Sequence, residues 1–315
     1  MSVKEDYNDG EILIGQGDGG FPLFVADDTP TPSNDSQPGT QSGPATPPDG
    51  QNAQSVTPTT ITTAQGQSVE VQTHQVNVDL VLAIDVTGSM EPFLNTIKKA
   101  AINMPEQVAK ALEGKQRLIN RFRVRVISFR DYYFDYVDPA HPPMVQSDFF
   151  TLPDEQAEFA AFVNALTPHG GEDEPESALE ALHLSFHSDW QNDPTIGKNR
   201  QIIMLFTDAS AHPLDDPMRS NPEFNSAYPQ DMPHNLDELQ LEFDDPNLFP
   251  PDGTGIVTGR RLILFAPEHM YPWKDMAKNN KTAWSCTECR SMDPEKGLEG
   301  LDIGDVLKFI AGSLT

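Results

Sequence analysis

The stretch Val78-Asp-Leu-Val-Leu-Ala-Ile-Asp85-Val-Thr-Gly-Ser89-Met90 decides how this chain folds. Residues 78–85 are a short, nearly continuous apolar run, which fits a strand buried on both faces as in a parallel sheet. Beyond it, Met90, Phe93, Ile97, Ala101, Met104, Val108 and Leu112 recur at three- and four-residue spacing, so Ser89 to Leu112 reads as a helix with one buried face. Ser89 is placed to cap that helix, with Glu91 and Pro92 in its first turn. Between strand and helix lies a tight loop carrying a carboxylate and two hydroxyls.

The same rhythm continues outward. Arg121 to Phe129, Gln201 to Thr207 and Arg261 to Ala266 read as further strands, and Asp148 to Leu152 as a short edge strand. Asp154 to Leu166, Pro175 to His187 and Ile303 to Leu314 read as helices, the second packing through Ala178, Leu179, Leu182 and Phe186. Strands alternating with helices imply one α/β domain over residues 68–315, a doubly wound and mostly parallel sheet flanked by helices, because parallel neighbours need crossover connections.

In such a sheet the ligand sits beyond the carboxyl ends of the strands. Those ends deliver Asp85, Thr87 and Ser89 from the first loop, the acidic loop Gly170-Gly-Glu-Asp173-Glu-Pro-Glu from a second segment, and Thr207-Asp208-Ala209 from a third. Only oxygen ligands converge, the inventory of a hard divalent cation. The three motifs, in this order, resemble a von Willebrand factor A domain, a doubly wound α/β fold with a metal-ion-dependent adhesion site. The resemblance covers about residues 76 to 314. It implies a metal set of Asp85, Thr87, Ser89, Asp173 and Asp208, with Thr87 standing where the family's first Ser is usual. By its spacing from Ala178-Leu179, Asp173 falls where adhesive members carry Thr. Phe129-Arg-Asp-Tyr and the Gly-Gly-x-Asp-x-Pro-Glu loop resemble the intracellular microbial branch more than the adhesive one. Few protein oxygens and two small hydroxyls favour Mg²⁺, with Ca²⁺ and Mn²⁺ as alternatives.

Composition bounds the partners. The 315 residues hold 48 acids against 21 Lys plus Arg, a formal charge of −27, which disfavours phosphate backbones and anionic membrane surfaces and favours cations or basic protein surfaces. Residues 1–26 read as a short acidic and apolar docking segment. Residues 27–67, rich in Pro, Thr, Gln and Gly, read as a disordered linker. The N-terminus shows no positive n-region or apolar h-region, no window approaches about 18 apolar residues, and Cys286 and Cys289 cannot build a disulfide framework, so the expected compartment is the cytoplasm.

The expected role is a protein–protein interaction scaffold or adaptor without turnover, with partners such as AAA-type ATPases or other components of microbial stress or defence systems, as the resemblance implies. The alternatives are a metal-assisted hydrolase using the same carboxylates and a surface adhesin. Asp85-Val-Thr-Gly breaks the pepsin-type Asp-Thr-Gly, and Thr87 stands where a haloacid-dehalogenase-type phosphatase needs its second Asp. Cys286-Thr-Glu-Cys289 is half a zinc site at best. His183 and His187 are four apart on a predicted helix, but Leu184 stands where a zinc protease needs Glu, so the pair reads as a coincidence of one helix face. Residues 209–259 form an insertion with eight prolines and ten acids against Arg219, where about two to six residues would be usual between elements. It reads either as a solvated loop with one helix near Asn235 to Phe243, or as a cover or partner surface over the metal face.

Overall fold

The computed structural model describes residues 56–62, 68–113, 117–135, 138–171, 174–191, 198–220, 227–249, 259–278 and 287–291. The docking segment 1–26, Asp173, Cys286 and the helix expected at Ile303 to Leu314 lie outside the described residues.

The strands are β1 (Val56–Thr62), β2 (Ser68–Asp85), β3 (Arg117–Phe129), β4 (Met144–Gln146), β5 (Phe150–Leu152), β6 (Lys198–Phe206), β7 (Arg260–Ala266) and β8 (Thr287–Ser291). The helices are α1 (Glu91–Glu113), α2 (Gln156–Ala165), α3 (Ala178–Phe186), α4 (Leu236–Asp244) and α5 (Trp273–Lys278). The strands form one sheet of order β4-β3-β2-β6-β7-β8, with β1 paired to β2 and β5 to β3 off this path. β2, β3, β6, β7 and β8 run parallel, whereas β4 and β5 lie antiparallel on β3. This is the mostly parallel α/β sheet expected from the strand–helix rhythm. Because β2 lies between β3 and β6, successive connections leave it on both sides, and the crevice opens at its carboxyl end.

Alternation along β2 builds the two cores. Val76, Val78, Leu80, Leu82 and Ile84 face Phe93, Leu94, Ile97, Ala101 and Met104 of α1 and Phe159 and Val163 of α2. Val81 and Ala83 face the other layer, with Ala178, Leu179, Leu182 and Phe186 of α3, Leu239 and Phe243 of α4, and Trp273 of α5. A two-residue period thus sends every second side chain to each helix layer.

Several elements depart from the expected outline. β2 is 18 residues long, and its early half pairs antiparallel with β1, which falls within the stretch read as linker. Val56-Thr-Pro-Thr-Thr-Ile-Thr62 is rich in β-branched residues, which suit a pleated strand, although its polar composition hides the pairing. β4, α5 and β8 were not foreseen, being short and lacking a sustained period. Asn235 caps α4, its side chain accepting from the Glu238 amide, one residue from the expected start. Ser89 does not serve as a helix cap: it lies in a 3-10 turn, Gly88–Met90, ahead of α1, and its hydroxyl donates to Asp208 instead.

α3 is buried almost all round, including Glu180 and His183 on the side away from the sheet. A helix packed on a sheet alone would leave that side wet. The insertion covers it: Phe243 and Phe249 pack against Phe186 with ring centroids 5.3 and 5.9 Å away, and the Tyr228 hydroxyl donates to Glu180. The described residues of the insertion that carry Tyr228, Phe243 and Phe249 are therefore docked along α3.

Among the described residues, no helix is long and apolar enough to cross a membrane.

Candidate functional site

Three loops meet at the carboxyl ends of β2 and β6. The first begins at Asp85, fully buried at the end of β2. Its Oδ1 accepts from the Thr87 amide at 2.9 Å and from Thr87 Oγ1 at 2.6 Å. Its Oδ2 accepts from Thr207 Oγ1 at 2.7 Å. Thr87 Oγ1 lies 3.3 Å from Ser89 Oγ, which in turn donates to Asp208 Oδ1 at 2.9 Å. Asp85, Thr87, Ser89 and Asp208 therefore form one continuous chain of oxygens across two loops.

The glycine-rich loop closes the third side. Gly88 N donates to Gly170 O at 3.0 Å and His169 N to Val86 O at 2.9 Å, so the first and third loops are zipped backbone to backbone. Gly170 and Gly171 have φ of +73° and +68°, a region that side chains rarely adopt. A Cβ on Gly171 would come within 2.6 Å of Thr87 Cβ, so only glycine allows this approach. The Arg130 guanidinium fastens the same loop from below, donating to the carbonyls of His169 (3.0 Å), Pro142 (3.0 Å) and Thr167 (3.2 Å). At the far edge, Glu174 Oε1 accepts from Ser210 N at 2.8 Å, tying the acidic loop to the segment after Asp208.

Burial makes this arrangement electrostatically tense. Desolvation pushes the Asp85 carboxyl up to about 6, against the opposing pull of its bonds from Thr87 and Thr207, and Asp208 adds like-charge repulsion. Desolvation also raises Asp208, with Ser89 pulling the other way and Glu174 adding repulsion. Two carboxylates held near each other at low dielectric gain most from a cation between them. The donor set is carboxylate and hydroxyl oxygen, which fits a hard dication such as Mg²⁺.

Four of the five residues expected at the site, Asp85, Thr87, Ser89 and Asp208, are thus brought together, and Asp173 lies outside the described residues. Two further residues belong to the site. Thr207 donates to Asp85, and a hydroxyl directly ahead of Asp208 is the signal for it in the sequence. Arg130 braces the glycine-rich loop through the His169 carbonyl, 39 residues on, and nothing local in the sequence indicates it.

The model of the von Willebrand factor A domain family matches residues 79–217, the span from β2 to just beyond Asp208. Alpha-protein kinase vwkA of Dictyostelium discoideum is 26% identical over 137 residues, which are 43% of this chain and 19% of that protein. Among solved structures, the pilus adhesin SpaC from Lactobacillus rhamnosus GG overlays with a TM-score of 0.43 at 11% identity, covering 75% of this chain and 30% of the adhesin. Proximal thread matrix protein 1 from the mussel byssus overlays with a TM-score of 0.37 at 11% identity, covering 75% and 46%. The chain thus spans less than half the length of each of these proteins. The fold, the order of the motifs and the family match together support a von Willebrand factor A domain at residues 79–217.

Proposed function

We propose that this chain is a divalent-metal-binding protein–protein interaction module, a scaffold or adaptor, in which Asp85, Thr87, Ser89, Asp173 and Asp208 hold Mg²⁺ and the metal face receives a partner. The observation that carries this reading is the unbroken run of oxygens from Thr207 through Asp85, Thr87 and Ser89 to Asp208. The ion supplies a Lewis-acidic point where a partner oxygen can bind, and the chain's own residues fix its position. Asp173 as a third carboxylate leaves the loaded site net negative. That strengthens ion retention, weakens capture of a partner's Asp or Glu, and favours a basic partner surface, in keeping with the −27 of the whole chain. The partner class in this reading is an AAA-type ATPase or another component of a microbial multiprotein system.

The reading has no turnover. Affinity capture with wild type beside Asp85→Ala tests the proposal. A partner held by wild type in Mg²⁺ and lost with the substitution or with chelator supports it; capture indifferent to both overturns it. Metal-dependent phosphatase or nuclease activity abolished by Asp85→Ala would replace it with the hydrolase reading.

A further inference from the structure

The insertion brings a third ligand to the His183 and His187 pair. His183 lies near the end of α3 and His187 is the residue that caps its C-terminus, four positions on, with Glu242 of α4 beside both. Glu242 Oε2 is 2.9 Å from His183 Nδ1, and Glu242 Oε1 is 3.5 Å from His187 Nε2. The imidazole rings are tilted at 47° with centroids 4.5 Å apart. One ligand atom from each residue can be chosen so that all lie within 4.8 Å of one another. A tetrahedral zinc ion with arms of about 2.0–2.1 Å sets its ligand atoms roughly 3.3 Å apart, a separation bracketed by the two His–Glu distances of 2.9 and 3.5 Å, each to a different Glu242 oxygen.

We propose that His183, His187 and Glu242 form a site for a transition-metal dication of the zinc class, separate from the oxygen site at Asp85. Two imidazoles and a carboxylate are the donors such an ion selects over Mg²⁺, and two histidines four apart on a helix present their nitrogens to one point. His183 is 5% exposed, Glu242 20% and His187 42%, so the site is walled on the α3–α4 side and open at His187, where water or a partner's ligand completes the coordination. The ion would pin α4, and with it the acidic insertion, to α3. Metal occupancy would then set how firmly the insertion is held.

The test is a Zn²⁺ titration by calorimetry on the full chain, stripped with chelator, with Cys286 and Cys289 replaced by Ser and excess Mg²⁺ present to occupy the oxygen site. Co²⁺ absorption reads the ligand geometry. The expected result is one zinc per chain, with a tetrahedral Co²⁺ spectrum. Affinity should fall by about a hundredfold or more in His187→Ala and in Glu242→Gln, since loss of a merely supporting contact already costs about ten- to a hundredfold. His141→Ala, which disrupts the separate group Asp138, His141 and His169, should bind as the parent does. His187 is half exposed and Glu242→Gln keeps its shape, so both variants retain the fold, which circular dichroism checks. Absence of saturable zinc binding overturns the proposal. So does binding unchanged in both α3–α4 variants, or binding abolished by His141→Ala.

Discussion

Ser89 Oγ donates to Asp208 Oδ1 at 2.9 Å across 119 residues of sequence, closing the loop after β2 onto the loop after β6. The two residues contribute differently to a bound cation, one as a neutral hydroxyl and the other as a carboxylate. Ser89→Ala should weaken Mg²⁺ binding, and Asp208→Asn, which removes a full charge, should weaken it more. Calorimetric titration of both variants checks the ranking; a reversed order would show that Asp208 acts only by orienting Ser89.

Asp85 sets a pH dependence of stability. Its folded-state carboxyl lies at about 6 against 3.8 ordinarily, so the folded chain retains this proton where the unfolded chain releases it. Below about pH 4 the group is neutral in both states and imposes no penalty. As pH rises from about 4 to about 6 the metal-free fold loses stability, by on the order of 3 kcal/mol at most. Asp85→Asn should flatten that slope, and Mg²⁺ should offset it in wild type only. Chemical denaturation at pH 5 and pH 7, with and without Mg²⁺, measures both effects.

Gly171 has no room for a side chain. Gly171→Ala combines an unfavourable positive φ with a Cβ driven against Thr87, and should cost about 1–3 kcal/mol while displacing one ligand of the oxygen site. Thermal unfolding and Mg²⁺ titration should both register it, whereas a surface alanine substitution such as Asn95→Ala should leave both unchanged.

Within β2, Asp79 pairs with Arg123 of β3 in a buried bidentate contact at 2.7 and 2.5 Å, with the Gln191 backbone N–H donating to the same carboxylate at 2.6 Å. The Arg123 guanidinium also lies over the Phe149 ring at 4.4 Å. Arg123→Met strands a buried carboxylate and should cost about 3–5 kcal/mol by chemical denaturation. Adding Asp79→Leu to it should recover part of that loss, because the pair is coupled.

Much of this architecture could be read from local pattern. The apolar run ending at Asp85 and the three- and four-residue period after it identify a buried strand and its helix, and the oxygen-bearing loops follow from where parallel strands end. What could not be read depends on contacts between distant segments. Ser89 looks like a helix cap until Asp208 is placed beside it. His183 and His187 look like a coincidence until Glu242, 55 residues beyond His187, arrives on a helix whose short period gives no sign of where it docks. Glu180 would be an outward-facing charge on α3 if Tyr228 did not bury and bond it. The short strands β4 and β8 owe their conformation to the edges they pair with, and three to five residues are too few to carry a period.

The central claim is that the oxygens of Asp85, Thr87, Ser89 and Asp208 are a cation site. Mg²⁺ titrated calorimetrically into the chelator-stripped chain tests it most directly, with Asp85→Ala alongside. The account predicts one saturable Mg²⁺ per wild-type chain and none in the variant with the fold retained; no saturable binding in wild type, or equal binding by both, would contradict it.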